Sequence, residues 1–214
     1  MKLYVHPFSS YSQKVLIPLY ENGTPFEYRS LEDPVANADL AALWSLKRFP
    51  VLEDQGRTVL EATTIIEHLE LHYPGPVRMI PEGDAGIEVR MLDRVFDNYV
   101  MTPMQKIVGN QLRTEQDRDA FGVSEARSTL DRIYAWLDAR LADRTWVAGE
   151  GFSLADCAAA PSLFYADWVH RIPPTHANLR HYRERLLIRP SVARAVDEAR
   201  PYRHYFPLGA PDRD

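Results

Sequence analysis

The spacing of hydrophobic and polar residues in the first third of the chain alternates between the period of a strand and that of a helix. Residues 2–6 form a short β-prone run that Pro7 ends. Serines within positions 9–12 then offer N-caps for an amphipathic helix that stops at Asn22-Gly23. Residues 26–29 alternate apolar and charged side chains, which is typical of a half-buried strand. This order predicts a βαβ unit with two parallel strands and a right-handed crossover.

A second set of patterns completes this part of the chain. Residues 51–53 and 58–60 are apolar runs on either side of a loop that contains Gly56, which predicts a hairpin. Thr64 and Glu67 have the spacing of a capping box, so we expect a helix to begin there. Proline- and glycine-rich residues follow. We therefore expect a βαβ-ββα domain over residues 1–76 and a linker over residues 77–84.

Every pattern after the linker is helical, so residues 85–214 are predicted to form an all-α domain and the fold class is α+β. Leu92, Val95, Phe96 and Tyr99 recur at i, i+3, i+4 and i+7, and we expect them to share one buried helix face. Ser153 and Asp156 have capping-box spacing at the start of a strongly apolar helix.

Composition and charge exclude several classes of protein. Hydrophobic residues make up 45% of the chain and charged residues 26%, which argues against a disordered protein. The net charge of −5 argues against a nucleic-acid scaffold, and no apolar run approaches the roughly 18 residues of a membrane span. The opening residues 1–7 lack the apolar core of a signal peptide, and Cys157 is the one cysteine, too few for a disulfide or a Cys-x-x-Cys pair. His68 and His72 have no obvious third ligand. We expect a cytoplasmic protein with no metal, membrane or nucleic-acid partner.

Three turns carry residues that can bind a ligand or take part in catalysis, and each has a structural interpretation beside a functional one. The serines of residues 9–12 either cap a helix or direct a hydroxyl and free helix amides at an anion. Residues 60–64 likewise cap a helix or hold a carboxylate at its first amides. The Phe49-Pro50 bond is expected to be trans on frequency alone, because only about 5–6% of X-Pro bonds are cis. We expect Cys157 to be a small buried hydrophobic residue with no catalytic role.

Four segments taken together resemble the soluble glutathione S-transferases, most closely the serine-type bacterial branch, and the resemblance runs from Leu3 to about Val196. The four segments, in chain order, are Ser9-x-x-Ser12-x-Lys14-Val15, Arg48-Phe49-Pro50-Val51-Leu52, Glu61-Ala62-x-x-Ile65-Ile66-x-x-Leu69 and Phe152-Ser153-Leu154-Ala155-Asp156. The resemblance implies a thioredoxin-like domain followed by an all-helical domain, a homodimer, and glutathione as co-substrate for attack on a small apolar electrophile in detoxification. It also implies that Phe49-Pro50 is cis.

The resemblance assigns roles to individual residues. Ser9 would donate a hydrogen bond to the thiol of glutathione, with Ser10 and Ser12 as competitors for that role. The backbone at Phe49-Pro50 would pair with the cysteinyl backbone, and Arg48 or, less well matched, Lys47 would meet the glycyl carboxylate. Glu61 would hold the γ-glutamyl ammonium and the Ala62 amide its carboxylate.

Ala62 departs from the family pattern, because most members have serine there. The chain therefore lacks one hydroxyl donor to the γ-glutamyl carboxylate. Either Thr63 compensates for it or glutathione binds more weakly. A hydrogen bond to a charged group is worth about 1.5–3 kcal/mol when nothing replaces it.

The acceptor substrate would lie between the two domains, and the reaction stays open among conjugation, dehalogenation, peroxide reduction and isomerisation. The candidates to line its site are Phe8, Tyr11, Tyr99, Met101, Met104 and Trp168. Aromatic and methionine residues at helical spacing are often core residues, so we expect about half of these to line the site. Two other functions remain open. The first is a non-catalytic ligand-binding or regulatory protein of the same fold, which Ala62 favours. The second is a glutathione-dependent thiol oxidoreductase or peroxidase, which normally has cysteine where this chain has Ser9.

Overall fold

The structure, a computed structural model, describes residues 1–214 as a four-stranded sheet with its helices, followed by a domain made only of helices. The strands are β1 (Lys2–Val5), β2 (Glu27–Ser30), β3 (Val51–Asp54) and β4 (Arg57–Leu60). The helices of the first part are α1 (Ser10–Glu21), α2 (Pro34–Leu43) and α3 (Ala62–His72). Those of the second are α4 (Gly83–Val95), α5 (Thr102–Gln111), α6 (Ala120–Arg140), α7 (Leu154–Val169), α8 (Ala177–Leu187) and α9 (Pro190–Ala199). Short 3₁₀ turns at Glu115–Asp117 and Arg200–Tyr205 complete it. None of the helices is both long enough and apolar enough to cross a membrane.

The sheet has the strand order β2-β1-β3-β4. β1 is parallel to β2, with Lys2 opposite Glu27, which confirms the predicted βαβ unit. β3 is antiparallel to both β1 and β4, and the β3–β4 pairing, with Val51 opposite Leu60, confirms the hairpin. Leu3 and Leu52 belong to the large core that includes α1 and α3, whereas the alternate residues Tyr4 and Val51 pack with α2. The period-2 alternation of the strands thus separates two helical layers.

The start of α3 differs from the prediction. The helix begins at Ala62, not at Thr64, and its N-cap is Glu61, whose side chain makes no capping hydrogen bond. The Glu61 backbone turns the chain instead, with φ at 68°, and its carbonyl accepts from the Ile65 amide at 2.9 Å. A non-glycine residue with positive φ is uncommon and is not visible in a capping pattern. The predicted capping box of Thr64 and Glu67 is therefore wrong, because the observed N-cap lies three residues before Thr64.

A π-helical turn, Phe96–Met101, joins α4 to α5 and shifts the buried face of this long helix. The Thr102 amide bonds to the Asp97 carbonyl five residues back, where an α-helix bonds four residues back. Leu92 and Phe96 are buried as predicted, but Tyr99 is 52% exposed and Val100 and Met101 are buried in its stead. The i+7 expectation for Tyr99 is wrong because it assumed 3.6 residues per turn throughout.

One continuous hydrophobic core of 46 buried residues spans both parts of the chain. Its centre is α7, most of whose residues are buried and which packs against α1. The predicted capping box opens this helix: Ser153 is the N-cap, and Asp156 accepts from the Ser153 amide at 2.9 Å. The segment between α3 and α4 covers residues 73–82.

Candidate active site

A cavity of about 610 Å³ opens between the edge of the sheet and the junction of α4 with α5. It brings together six of the seven site residues expected from the sequence, which lie on three separate segments of the chain. These residues are Ser9, Arg48, Phe49, Pro50, Glu61 and Ala62. The seventh, Thr63, does not line the cavity.

Ser9 is the serine of the β1–α1 turn that faces this cavity. It is the N-cap of α1, and its Oγ accepts from the Ser12 amide at 3.3 Å. Ser10 and Ser12 are buried and do not line the cavity, and Ser12 Oγ accepts from the His6 amide at 3.3 Å. A serine hydroxyl has one donor proton beside its acceptor lone pairs, so capping leaves the Ser9 proton available to a ligand. The capping and functional interpretations of Ser9 are compatible.

The helical domain holds the backbone of the Ser9 turn in place. The hydroxyl of Tyr165 on α7 donates to the Phe8 carbonyl at 2.9 Å. Gln13, which is buried, donates from Nε2 to the Pro7 carbonyl at 2.9 Å and to the Tyr165 hydroxyl at 3.1 Å. These bonds lie in the core, where water does not compete for them. The position of Ser9 therefore depends on both domains.

The segment before β3 forms the second wall of the cavity. Phe49-Pro50 is cis, which confirms the expectation drawn from the resemblance and not the one drawn from frequency. Phe49 is 37% exposed and lines the cavity beside Lys47 and Arg48. Neither of these two cations forms an ion pair with a carboxylate of the chain. The cavity thus has two free cationic groups at this wall.

The turn from β4 to α3 forms the third wall. Glu61 and Ala62 both line the cavity, and Ala62 is the first residue of α3. The first amides of a helix have no intrahelical acceptor, and the helix dipole favours an anion there. Beside them the Glu61 side chain is exposed and makes no hydrogen bond that caps the helix. This wall therefore offers both an anion site and a carboxylate.

The Thr63 hydroxyl points into a buried ionic cluster between the domains. Lys14, fully buried on α1, donates from Nζ to Thr63 Oγ1 at 3.1 Å and pairs with Asp93 Oδ1 at 2.5 Å and Asp97 Oδ2 at 2.8 Å. Thr63 Oγ1 in turn donates to Asp93 Oδ2 at 2.8 Å and also contacts Arg94. Its hydrogen-bonding capacity is used within this cluster.

The cluster reaches the cavity through residues that the sequence patterns did not single out. Arg94, Asp97 and Asn98 line it from the helical domain. Burial raises the pKa of Asp97, and the Asp93 carboxylate adds to this, while Lys14 opposes it. On the sheet side Tyr11 also lines the cavity, and burial together with Asp97 raises the pKa of its phenol to about 12, so Tyr11 stays protonated. Arg94 and Asp97 are ordinary charged residues of an amphipathic helix in the sequence, which carries no signal that they face a site.

A second, more apolar cleft of about 560 Å³ adjoins the cavity, and the two share Ser9, Lys47 and Phe49. Phe8 and Tyr205 contribute aromatic rings to it.

Among the other residues expected at the acceptor site, Tyr11 lines the main cavity, whereas Met101 and Met104 are core residues. Tyr99 lines neither space, and Trp168 packs against Phe206 with ring centroids 5.1 Å apart. The π-helical turn is the reason for the positions of Tyr99 and Met101.

Comparison with known proteins assigns the family. Residues 3–77 match the sequence profile of the glutathione S-transferase N-terminal domain, and residues 117–185 match that of the C-terminal domain. The chain belongs to the glutathione S-transferases. A glutathione S-transferase from Methylobacterium radiotolerans, solved in complex with glutathione sulfonate, superposes with a TM-score of 0.78 at 28% identity. That match covers 91% of this chain and 93% of the other.

The names of the curated relatives of this chain indicate more than one function. The stringent starvation protein A homolog of Coxiella burnetii is 25% identical over 93% of this chain and 92% of its own length. Glutathione S-transferase GstB of Escherichia coli is 24% identical over 86% of this chain and 91% of its own length. Family membership therefore does not identify the specific activity of this chain.

Proposed function

We propose that this protein is a glutathione transferase of the serine type, which activates the thiol of glutathione for attack on a small apolar electrophile. The observation that carries the proposal is the position of Ser9 at the border between a polar cavity and an apolar cleft. A nucleophile held at Ser9 meets a substrate from the apolar side. The relative solved with glutathione sulfonate supports glutathione as the occupant of the polar side.

Ser9 acts on the reacting sulfur as a hydrogen-bond donor. A free cysteine thiol has a pKa of about 8.5, so only a few per cent is the nucleophilic thiolate at neutral pH. Donation from the Ser9 hydroxyl and the nearby N-terminus of α1 stabilise the thiolate. The thiolate then forms a carbon–sulfur bond, and the electron pair it displaces leaves with the leaving group or is protonated on the acceptor. Ser9 keeps its own proton throughout.

The rest of glutathione would bind along the three walls of the cavity. Arg48 meets the glycyl carboxylate, and Lys47 is the neighbouring alternative with the same free charge. The backbone of Phe49, before Pro50, pairs with the cysteinyl backbone. The Ala62 amide and Glu61 hold the carboxylate and ammonium of the γ-glutamyl group. We leave Thr63 out of this set because its hydroxyl is used by Lys14, Asp93 and Arg94.

A non-catalytic ligand-binding protein is the second candidate, favoured by Ala62 and by the similarity to a stringent starvation protein A homolog. A thiol oxidoreductase or peroxidase is third, because the cavity offers Ser9 and no cysteine. Cys157 does not replace it: this residue is fully buried, and burial raises the pKa of its thiol well above the usual value.

A homodimer in the cytoplasm, with a role in detoxification, completes the proposal. Ile87 and Met91 lie one turn apart on α4 and are exposed, as is Leu71 on α3. Arg90 on α4 and Glu67 on α3 form an ion pair, and we infer that the exposed apolar residues of these two helices contribute to the surface that a second copy covers. The cytoplasm is where the reduced glutathione pool is kept.

Titration of the thiolate absorbance of the enzyme–glutathione complex tests the role of Ser9. We expect Ser9→Ala to raise the pKa of bound glutathione by about one to two units, because a charge-assisted hydrogen bond is worth about 1.5–3 kcal/mol. Affinity should change little, because it comes from the other walls. Ser10→Ala, in the same turn but outside the cavity, is the matched control. A shift in the control variant with none in Ser9→Ala contradicts the assignment, and turnover that survives Ser9→Ala unchanged contradicts the mechanism.

A further inference from the structure

His6 directly follows β1 and contacts the turn that carries Ser9 at three points. Its carbonyl accepts from the Ser9 amide at 3.0 Å, and its own amide donates to the Ser12 hydroxyl at 3.3 Å. Its ring nitrogen Nδ1 accepts from the Phe8 amide at 3.2 Å. Only the last of these bonds is made by the side chain, so it is the one that depends on the type of residue at position 6.

The partners of the imidazole ring determine where its proton lies. A backbone amide can only donate, so the Nδ1 atom that accepts from Phe8 carries no proton. The proton of the ring is therefore on Nε2, which lies 2.8 Å from Glu32 Oε1 and donates to it. Glu32 thus selects the tautomer and the ring orientation in which Nδ1 can accept.

The ring is also held by its packing. The His6 side chain is only 13% exposed. Tyr202, in the 3₁₀ turn Arg200–Tyr205, packs edge-to-face against the ring with centroids 4.8 Å apart. Tyr205 of the same turn donates to the second carboxylate oxygen of Glu32 at 3.4 Å. His6 is therefore a rigid acceptor whose position does not have to be ordered when a ligand binds.

The two peptide groups that precede Ser9 have all their polar atoms bound. In the peptide between Phe8 and Ser9, the carbonyl accepts from the Tyr165 hydroxyl and the amide donates to the His6 carbonyl. In the preceding peptide, the carbonyl accepts from Gln13 Nε2 and the amide donates to His6 Nδ1. Peptide planes bound on both edges do not rotate freely, so they fix the direction of the Ser9 side chain. Because a hydrogen bond weakens steeply with a poor angle, this direction controls how well the hydroxyl can donate.

We propose that His6 is a positioning residue for Ser9, whose Nδ1 holds the Phe8 amide and thereby aims the Ser9 hydroxyl at the sulfur of glutathione. This inference rests on the proposed function of Ser9 and adds a residue to it. His6 acts through the backbone and neither gives nor takes a proton in the reaction.

Two substitutions that mimic different ring nitrogens test this role. In His6→Asn the side-chain oxygen replaces Nδ1 and can accept from the amide two residues on, as asparagine commonly does in turns. In His6→Gln the amide group reaches the position of Nε2 beside Glu32 and leaves the Phe8 amide without an acceptor. The readout is the pKa of the thiol of bound glutathione, from its thiolate absorbance. We expect His6→Gln to raise this pKa by about 0.5 to 1 unit, less than complete loss of the Ser9 hydroxyl, and His6→Asn to keep it within about 0.2 unit of the parent. The Kd for glutathione should stay within about twofold in both variants.

The possible results separate this inference from the proposed function. Equal shifts in the two variants would mean that the packing of the ring matters and Nδ1 does not, and no shift in His6→Gln would mean that the Phe8 amide needs no partner; either result overturns the inference alone. A parent protein that does not lower the pKa of bound glutathione overturns the proposed function together with the inference. A shift confined to His6→Gln supports both.

Nitrogen-15 NMR of the parent protein at pH 8 tests the same contact without any variant. We expect the Nδ1 resonance of His6 to have the chemical shift of an unprotonated ring nitrogen and the Nε2 resonance that of a protonated one. A proton on Nδ1 overturns the inference, even where His6→Gln fails to fold.

Discussion

Removal of the Asp156 carboxylate should destabilise the protein strongly, because this side chain satisfies four buried donors at the start of α7. It is fully buried and accepts from the Val147 amide at 3.1 Å, the Ser153 amide at 2.9 Å, the Ser153 hydroxyl at 3.1 Å and the Tyr182 hydroxyl at 2.6 Å. Burial raises the pKa of Asp156 to about 6, so the carboxylate is ionised at pH 7.5.

The free energy lost in Asp156→Ala depends on which of the four donors can find another acceptor. The two hydroxyls can rotate, but the amide of Ser153 is fixed by the helix start and that of Val147 by the turn that the Trp146 and Gly149 backbones close. A hydrogen bond to a charged group contributes about 1.5–3 kcal/mol, so Asp156→Ala should cost about 3–6 kcal/mol at pH 7.5. This is more than the roughly 1 kcal/mol of an ordinary helix cap.

Urea unfolding at pH 7.5, followed by circular dichroism, measures this cost. With a slope of about 2–3 kcal/mol per molar urea, the midpoint should fall by about 1–3 M. Asp143→Ala is the control, because the Asp143 side chain is 87% exposed and its ion pair, with its neighbour Arg144, is long at 3.9 Å. Equal midpoints for Asp156→Ala and the parent protein would refute the reasoning, since they would mean that the four donors find water or new partners in the folded state.

Two further predictions concern the contacts between elements. Lys14→Met removes the buried ammonium from Asp93 and Asp97 and should lower the free energy of unfolding by about 3–5 kcal/mol in the same urea assay; a loss below about 1 kcal/mol would show that Arg94 alone neutralises both carboxylates. Met91→Glu places a charge in the exposed apolar surface of α4 and should halve the mass that light scattering measures for the protein. A parent protein that is already monomeric contradicts the proposed dimer.

Local chemistry made much of the fold predictable. The strand predicted over residues 26–29, the hairpin around Gly56 and the box of Ser153 with Asp156 each depend on residues close in sequence, and the structure contains all three, with the strand at Glu27–Ser30. The start of α3 and the exposure of Tyr99 were not predictable in this way. Both result from backbone geometry, a positive φ at Glu61 and a π-helical turn, that side-chain periodicity does not encode.

Some residues of the candidate site were identified from the sequence and others were not, for the same reason. Ser9, Arg48 and Glu61 were identified because the residues around them resemble those of a known family, and the structure brings them to one cavity. Arg94 was missed because the residue that it contacts in the first domain, Thr63, lies 31 positions earlier in the chain. Contacts of this kind depend on how two helices dock, and local patterns along one sequence do not show that.

The buried ion pairs of Lys14 determine how freely this protein can exchange parts with its relatives. A chimera that joins its first 76 residues to a foreign helical domain would enclose the Lys14 ammonium without Asp93 or Asp97. It would also leave the Phe8 carbonyl without the hydroxyl of Tyr165. Recombination within this family is therefore restricted to parents that conserve these three partners, and the helical domain can acquire new acceptor specificity only through residues that leave them in place.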